Sequence, residues 1–235
     1  MTLDRQLRTD TNNYEDDVFM VTKLHRHMGV LIRENVLSSL PDKKAIRISP
    51  FWYSIGNMLP DISWLPLTHP HFAVRSQPFM SGMLDTTVRK HSLQNSDALF
   101  ISPIFSLRLG IVCHYLCDFF CVAHQGEGIN GARHHLNYEH EMRDFFYENR
   151  GEIEALCRFV PDHISPTAQS ANTDMLLEEF RRWHDSYAEK QFHHISEFLY
   201  SKNASDDRVE AFLTDIRTAI ACCTSVIYTL AIQNS

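Results

Sequence analysis

The histidines and carboxylates between Ile111 and Glu141 have the types and spacing to hold divalent metal ions. His114 and Asp118 are four residues apart, as are His135 and Glu139, and His124 stands between the pairs. Four residues bring an α-helix back to within roughly 40° of the same face. One helix can therefore aim an imidazole and a carboxylate into a single site. Nitrogen from imidazole with oxygen from carboxylate is a donor set that zinc takes. On a straight helix His124 would sit about 15 Å beyond His114 and roughly 80° off its face. Gly126 and Gly128 follow it closely. The glycines predict that the helix ends near 123–125, which turns His124 towards a second metal shared with His135 and Glu139.

These groups sit in a chain of 235 residues, long enough to bury a substantial core. Its formal charge of −7 disfavours nonspecific binding to nucleic acid, because no basic excess offsets phosphate charge. Fourteen histidines are many for this length, and histidine is the commonest metal ligand. The six cysteines form no CxxC pair. Cys113, Cys117 and Cys121 mark one helical stripe and read as small buried hydrophobes, with thiolate ligation the minor alternative. No disulfide framework is suggested, which fits a reducing compartment. The polar N-terminal stretch carries no apolar signal-peptide core, and the longest apolar run, Ala219 to Ile232, is too short to span a bilayer. The sequence as it stands reads as cytoplasmic.

The elements that must position the candidates are all helical. Residues 1–14 read as a mobile tail and 15–235 as one helical domain. Apolar residues at helical spacing predict a first helix from Asp16 to Leu40, carrying His25, which on spacing alone is a half-buried histidine. Ser49-Pro50 opens a short helix to Met58. The stretch from Leu59 to His71, with prolines at 60, 66 and 70, is expected to be irregular. It would aim Asp61 by its backbone and leave His69 and His71 as exposed loop histidines. Further helices are expected over Gln77–Ser92, Pro103–Ala123, from an Asn130 cap to Arg150, Glu152–Phe159, Thr173–Tyr200 and Ser205–Ile232. No alternating apolar pattern argues for a sheet. The architecture is all-α, a single domain of seven or eight helices.

In their order along the chain, His25, Asp61, His91, His114-Tyr115-Leu116-Cys117-Asp118, His124 and His135-x3-Glu139 resemble the bacterial zinc-dependent phospholipase C family. That fold is shared with the zinc-dependent single-strand nucleases. The resemblance covers about residues 20–145. It implies that Asp61, His91, His114 and Asp118 hold a first zinc and that His124, His135 and Glu139 hold a second. Asp118 would bridge to a third, shared with His25. Asp61, as ligand or general base, would orient or deprotonate the attacking water. The implied activity is cleavage of a phospholipid, or another phosphodiester, to diacylglycerol and a phosphorylated head group, with transient contact to a membrane surface and no stable nucleic-acid complex. A zinc-bound water reaches a pKa of about 7, and paired metals can hold the flanking oxygens in line.

This sequence departs from the family at four places, one of them the asparagine expected shortly after His124, which is replaced within Gln125-Gly126-Glu127. Members complete the third site with a mature N-terminal tryptophan, whereas no tryptophan here precedes Trp52. Val122 stands where they carry proline, two residues before His124. Ile62 replaces the aromatic residue of choline-preferring members, so a choline head group is not implied.

Two rivals are a same-fold single-strand nuclease or nucleotidase and a non-catalytic zinc-binding helical protein. His134 could replace His135 if the register slipped by one. The dipeptide His184-Asp185 is shared with another helical phosphohydrolase family, but its further ligands, nominally His163 with Asp206 or Asp215, are not fixed by the sequence. The pair His193/Glu197 reads as an exposed side-chain pair.

Overall fold

Apolar side chains recurring every three or four residues give the chain its helices, and the same stripes bury against one another. The computed structural model describes residues 22–42, 46–63, 69–94, 103–125, 131–158, 173–200 and 208–232, without the side chains of 88–94 and of a few other helical positions. Among these residues there are nine α-helices and no strand: α1 (22–39), α2 (Pro50–Ile62), α3 (Ala73–Gln94), α4 (Pro103–Phe119), α5 (Gly131–Glu148), α6 (Arg150–Leu156), α7 (Thr173–Lys190), α8 (Phe192–Tyr200) and α9 (Val209–Ile232). A 3-10 turn, Val122–His124, follows α4. The expected tail at 1–14 lies outside the described residues.

One continuous core joins all the long helices. Leu24, Met28, Ile32 and Val36 line the inner face of α1, and Ile216, Ile220, Cys223 and Ile227 that of α9. Each such aliphatic side chain stabilises the fold by about 1.5–3 kcal/mol when fully buried. α4 runs through the middle, with every residue from Leu109 to Phe119 buried. By length and composition α9 could cross a membrane, which the shorter apolar run Ala219–Ile232 did not suggest, but most of it is covered by its own neighbours. The cysteine stripe is buried as expected, and Cys117 Sγ lies 3.9 Å from Cys223 Sγ on α9.

Among the described residues there is one α-helix more than the eight predicted segments, because one of those segments is divided. The predicted helix 173–200 is interrupted at Gln191, whose buried side chain turns inward to donate to the Ala211 carbonyl and to Asp215. α4 also ends earlier than predicted, at Phe119 instead of Ala123. After Phe119 the chain tightens, with Phe120 and Cys121 donating to the carbonyls of Cys117 and Asp118, and Cys121 is extended. Gln125 Nε2 then donates back to the Phe119 carbonyl at 2.7 Å and caps the helix. Conversely, α2 runs four residues beyond Met58, through Pro60 to Ile62. Asp61 is therefore set by the last turn of a helix rather than by an irregular loop. A proline so near the end removes one helical hydrogen bond without breaking the element.

α2 and α4 pack at very close range through Gly56 and Gly110, whose Cα atoms face each other. A Cβ on Gly56 would overlap the Leu107 carbonyl, and one on Gly110 the Tyr53 carbonyl. Both obstacles are backbone and cannot rotate away. Gly56→Ala or Gly110→Ala should each cost at least about 1–3 kcal/mol, read as a lower denaturation midpoint, whereas Gly82→Ala on α3, where a Cβ meets open space, should not.

Candidate metal centre

α4 supplies the middle of the site. His114 and Asp118 lie on one face of it, with His114 Nε2 3.1 Å from Asp118 Oδ2. His114 Nδ1 donates to the Asn57 carbonyl of α2 at 2.9 Å. That bond places the proton on Nδ1 and leaves the Nε2 lone pair facing the carboxylates. The close crossing of α2 and α4 brings Asp61 Oδ1 to 3.4 Å from the same nitrogen.

The other ligand candidates arrive from four more segments. His25 on α1 sets Nε2 3.1 Å from Asp118 Oδ1, and its ring lies 4.1 Å from that of His114. The early end of α4 swings His124 back, to 3.6 Å from Asp118 Oδ1. His124 Nε2 also lies 2.9 Å from Glu139 Oε1, and His135 Nε2 lies 3.2 Å from that same oxygen. His135, one register from His134, is thus the α5 histidine that meets Glu139.

His71 is the residue that sequence reasoning passed over. Expected as an exposed loop histidine, it is largely buried, with Nδ1 3.0 Å from Asp118 Oδ2 and 3.7 Å from Asp61 Oδ1. Its loop is pinned on both sides. The Tyr115 hydroxyl donates to the His69 carbonyl at 2.7 Å, and the Ser76 hydroxyl donates to the Pro70 carbonyl. His69 itself stacks on Phe79. The one available signal was His-x-His ten residues after Asp61, in a proline-rich stretch that holds no helical phase. His91, expected in the first centre, falls near the end of α3, and its side chain lies outside the described residues.

Burial should push Asp118 up, yet His114, His124, His25 and His71 hold its carboxyl well below the usual carboxylate range. Glu139 is likewise depressed, against its burial, by His135 and His124. Burial disfavours an imidazolium at His25 and His71, but Asp118 overrides it and raises both. His135 is raised against burial by Glu139, while His124 is lowered, with burial the main cause.

Hydrogen bonds alone do not satisfy these groups. Asp61 Oδ2, His71 Nε2, Asp118 Oδ2 and His114 Nε2 are buried without a hydrogen-bond partner, even though two imidazole nitrogens approach Asp118 Oδ2 within 3.1 Å. Such orphans are rare in native interiors. Four donors at about 2.0–2.1 Å around a tetrahedral zinc stand roughly 3.3 Å apart, the spacing found here. Four overlapping sets have all their donor atoms within 4.8 Å of one another: His25/His114/Asp118, Asp61/His71/His114, His71/Asp118/His124 and His124/His135/Glu139. The donor chemistry and the spacing fit zinc.

The other candidates lie elsewhere. His184 packs among the rings of Phe120, Phe180 and Tyr187 and joins no metal-ligand cluster among the described residues. His163, Asp206 and the side chain of Glu197 lie outside the described residues. Asp215 is buried on α9, where it accepts hydrogen bonds from Val122, Tyr138, Tyr187 and Gln191.

A family model described as zinc dependent phospholipase C matches residues 25–194, a span that holds every member of the cluster. No curated protein and no solved structure matches the chain.

The pKa shifts set a stability window for the metal-free chain. Asp118 and Glu139 titrate lower when folded, so their contribution is full above about pH 4.5 and is lost as pH falls through the folded values. His25, His71 and His135 titrate higher when folded, so theirs is full below about pH 6.5 and fades as pH rises. His124 opposes those three. Thermal unfolding in chelator should show greatest stability between about pH 4.5 and 6.5; a steady rise to pH 8 would contradict these assignments.

Proposed function

The chain belongs to the zinc-dependent phospholipase C family, a family of phosphodiester hydrolases, and from that premise we propose that its cluster holds at least two zinc ions and cleaves phospholipid to diacylglycerol and a phosphorylated head group. The observation that carries the reading is the Asp118 carboxylate, which meets imidazoles on both oxygens.

Asp61, His71, His114 and Asp118 would form the first centre, with His71 in the place the resemblance gave to His91. His124, His135 and Glu139 would form the second. His25, opposite Asp118 Oδ1, supports a third. Zinc bound here supplies Lewis-acid charge to the phosphoryl oxygens and acidifies the attacking water.

The chain's own residues supply position and proton transfer. Asp61 is the most open of the three carboxylates, 11% exposed against 2% for Asp118 and 8% for Glu139. An oxygen there can accept a proton from water entering the site. Asn57 fixes His114 in one tautomer, so its Nε2 remains a ligand rather than a donor. Phe72 packs against His124 and His135 and keeps water from that side of the pair. Ile62, beside Asp61 and 56% exposed, gives the rim an apolar contact for lipid.

A release assay with zinc-loaded protein tests the substrate: phosphorylated head group should appear from phospholipid, and turnover of single-stranded DNA alone would transfer the site to the nuclease reading. Asp118→Ala should lose zinc and at least about 100-fold in activity, while His193→Ala should leave both unchanged. Equal losses would put the site on the wrong helices.

A further inference from the structure

The last helix has no residue in the metal cluster and lies beyond the span that the family model matches. It nevertheless sends one carboxylate into the cavity behind the cluster, whose lining includes His25, Asp118, His124, Glu139 and Asp215. Asp215 is 2% exposed, and the basic side chains have left it to neutral donors. Its Oδ2 accepts from the Val122 N–H at 3.0 Å and the Tyr138 hydroxyl at 2.8 Å. Its Oδ1 accepts from the Tyr187 hydroxyl and from Gln191 Nε2, each at 2.8 Å.

The two bonds on Oδ2 reach two different ligand-bearing elements. Val122 opens the 3-10 turn that ends at His124. Tyr138 directly precedes Glu139 on α5. One oxygen atom thus ties the turn to the helix, and their ligands meet 2.9 Å apart at His124 Nε2 and Glu139 Oε1. The turn is also held by the Gln125 side chain, which donates to the Phe119 and Cys121 carbonyls, and its three residues are buried. It is three residues long, its N-cap has no side-chain hydrogen bond, and glycine-rich sequence follows.

We propose that Asp215 is a positioning residue of the second metal centre, clasping the His124 turn to the Glu139 helix through the Val122 N–H and the Tyr138 hydroxyl. It acts on ligand geometry and does not touch metal or substrate. The idea rests on the metal reading above. Groups that hydrogen-bond metal ligands directly typically change metal affinity by about 10–100-fold when removed, which sets the upper range for a residue acting through neighbouring positions.

Tyr138 and Tyr187 provide an internal control. Both hydroxyls donate to Asp215 at 2.8 Å and both side chains are fully buried, but only Tyr138 belongs to a ligand-bearing helix. Zinc affinity is measured by chelator competition on the full chain and on Tyr138→Phe, Tyr187→Phe and Asp215→Asn, with cobalt absorption as a second readout of ligand geometry. Tyr138→Phe and Asp215→Asn should weaken one zinc, by up to about 10–100-fold, shift part of the cobalt spectrum and leave the other zinc in place. Tyr187→Phe should lower the melting temperature comparably without moving either metal signal. If Asp215→Asn does not fold, the tyrosine pair still decides. Equal zinc losses in the two tyrosine variants, or an unchanged affinity in Tyr138→Phe, would reduce Asp215 to a core hydrogen-bond acceptor and overturn the proposal. A wild-type chain that takes up no zinc would instead remove the metal reading, and the clasp with it.

Discussion

The constraint on which the molecule depends is a carboxylate held almost out of reach of water. Asp118 lies on the most buried helix of the fold, where an ion without partners would be driven to take up a proton. It stays ionised because imidazoles from α1, the 69–72 loop, α4 itself and the 3-10 turn converge on its two oxygens. Each of those segments must bring its imidazole to within 3.6 Å of that carboxylate. The surrounding architecture serves that requirement: a glycine-to-glycine crossing of α2 and α4, a loop fixed at two carbonyls, and a helix terminated early.

The sequence disclosed most where chemistry and helical period coincide. The pairs His114/Asp118 and His135/Glu139 were legible because one helix imposes one phase on both members. The glycines behind His124 pointed to a helix end, which the structure sets at Phe119, ahead of the expected 123–125. His71 was not legible by the same route. In an irregular, proline-rich stretch the direction of a side chain is set by tertiary hydrogen bonds, here from Tyr115 and Ser76, which no local pattern encodes. The family resemblance placed His91 in the first centre, where its side chain lies outside the described residues; His71 is the histidine seen to meet Asp61 and Asp118 there.

Secondary structure was readable in type and less so at its ends. α4 was expected to reach Ala123, but Gln125 caps it four residues sooner by a side-chain bond that propensity does not register. The helix expected across 173–200 is divided because Gln191 is drawn towards Asp215, a partner 24 residues away. Val122 was noticed as a departure from the proline that the family carries. Its meaning emerged only in three dimensions, since proline has no N–H to offer Asp215. Pairs of groups separated widely along the chain are where a one-dimensional reading ends.

The ligand candidates are drawn from segments between His25 and Glu139, and that dispersal governs how the protein relates to its metal supply. An unfolded chain offers only isolated two-donor fragments, such as His114 with Asp118, so its own hold on zinc is weak. Nearly all the binding free energy is therefore credited to the native state. Zinc at a hundredfold excess over its dissociation constant adds about 2.7 kcal/mol per site to folding. Metal supply and folding would then be linked, because a chain without zinc would forgo that share of its stability.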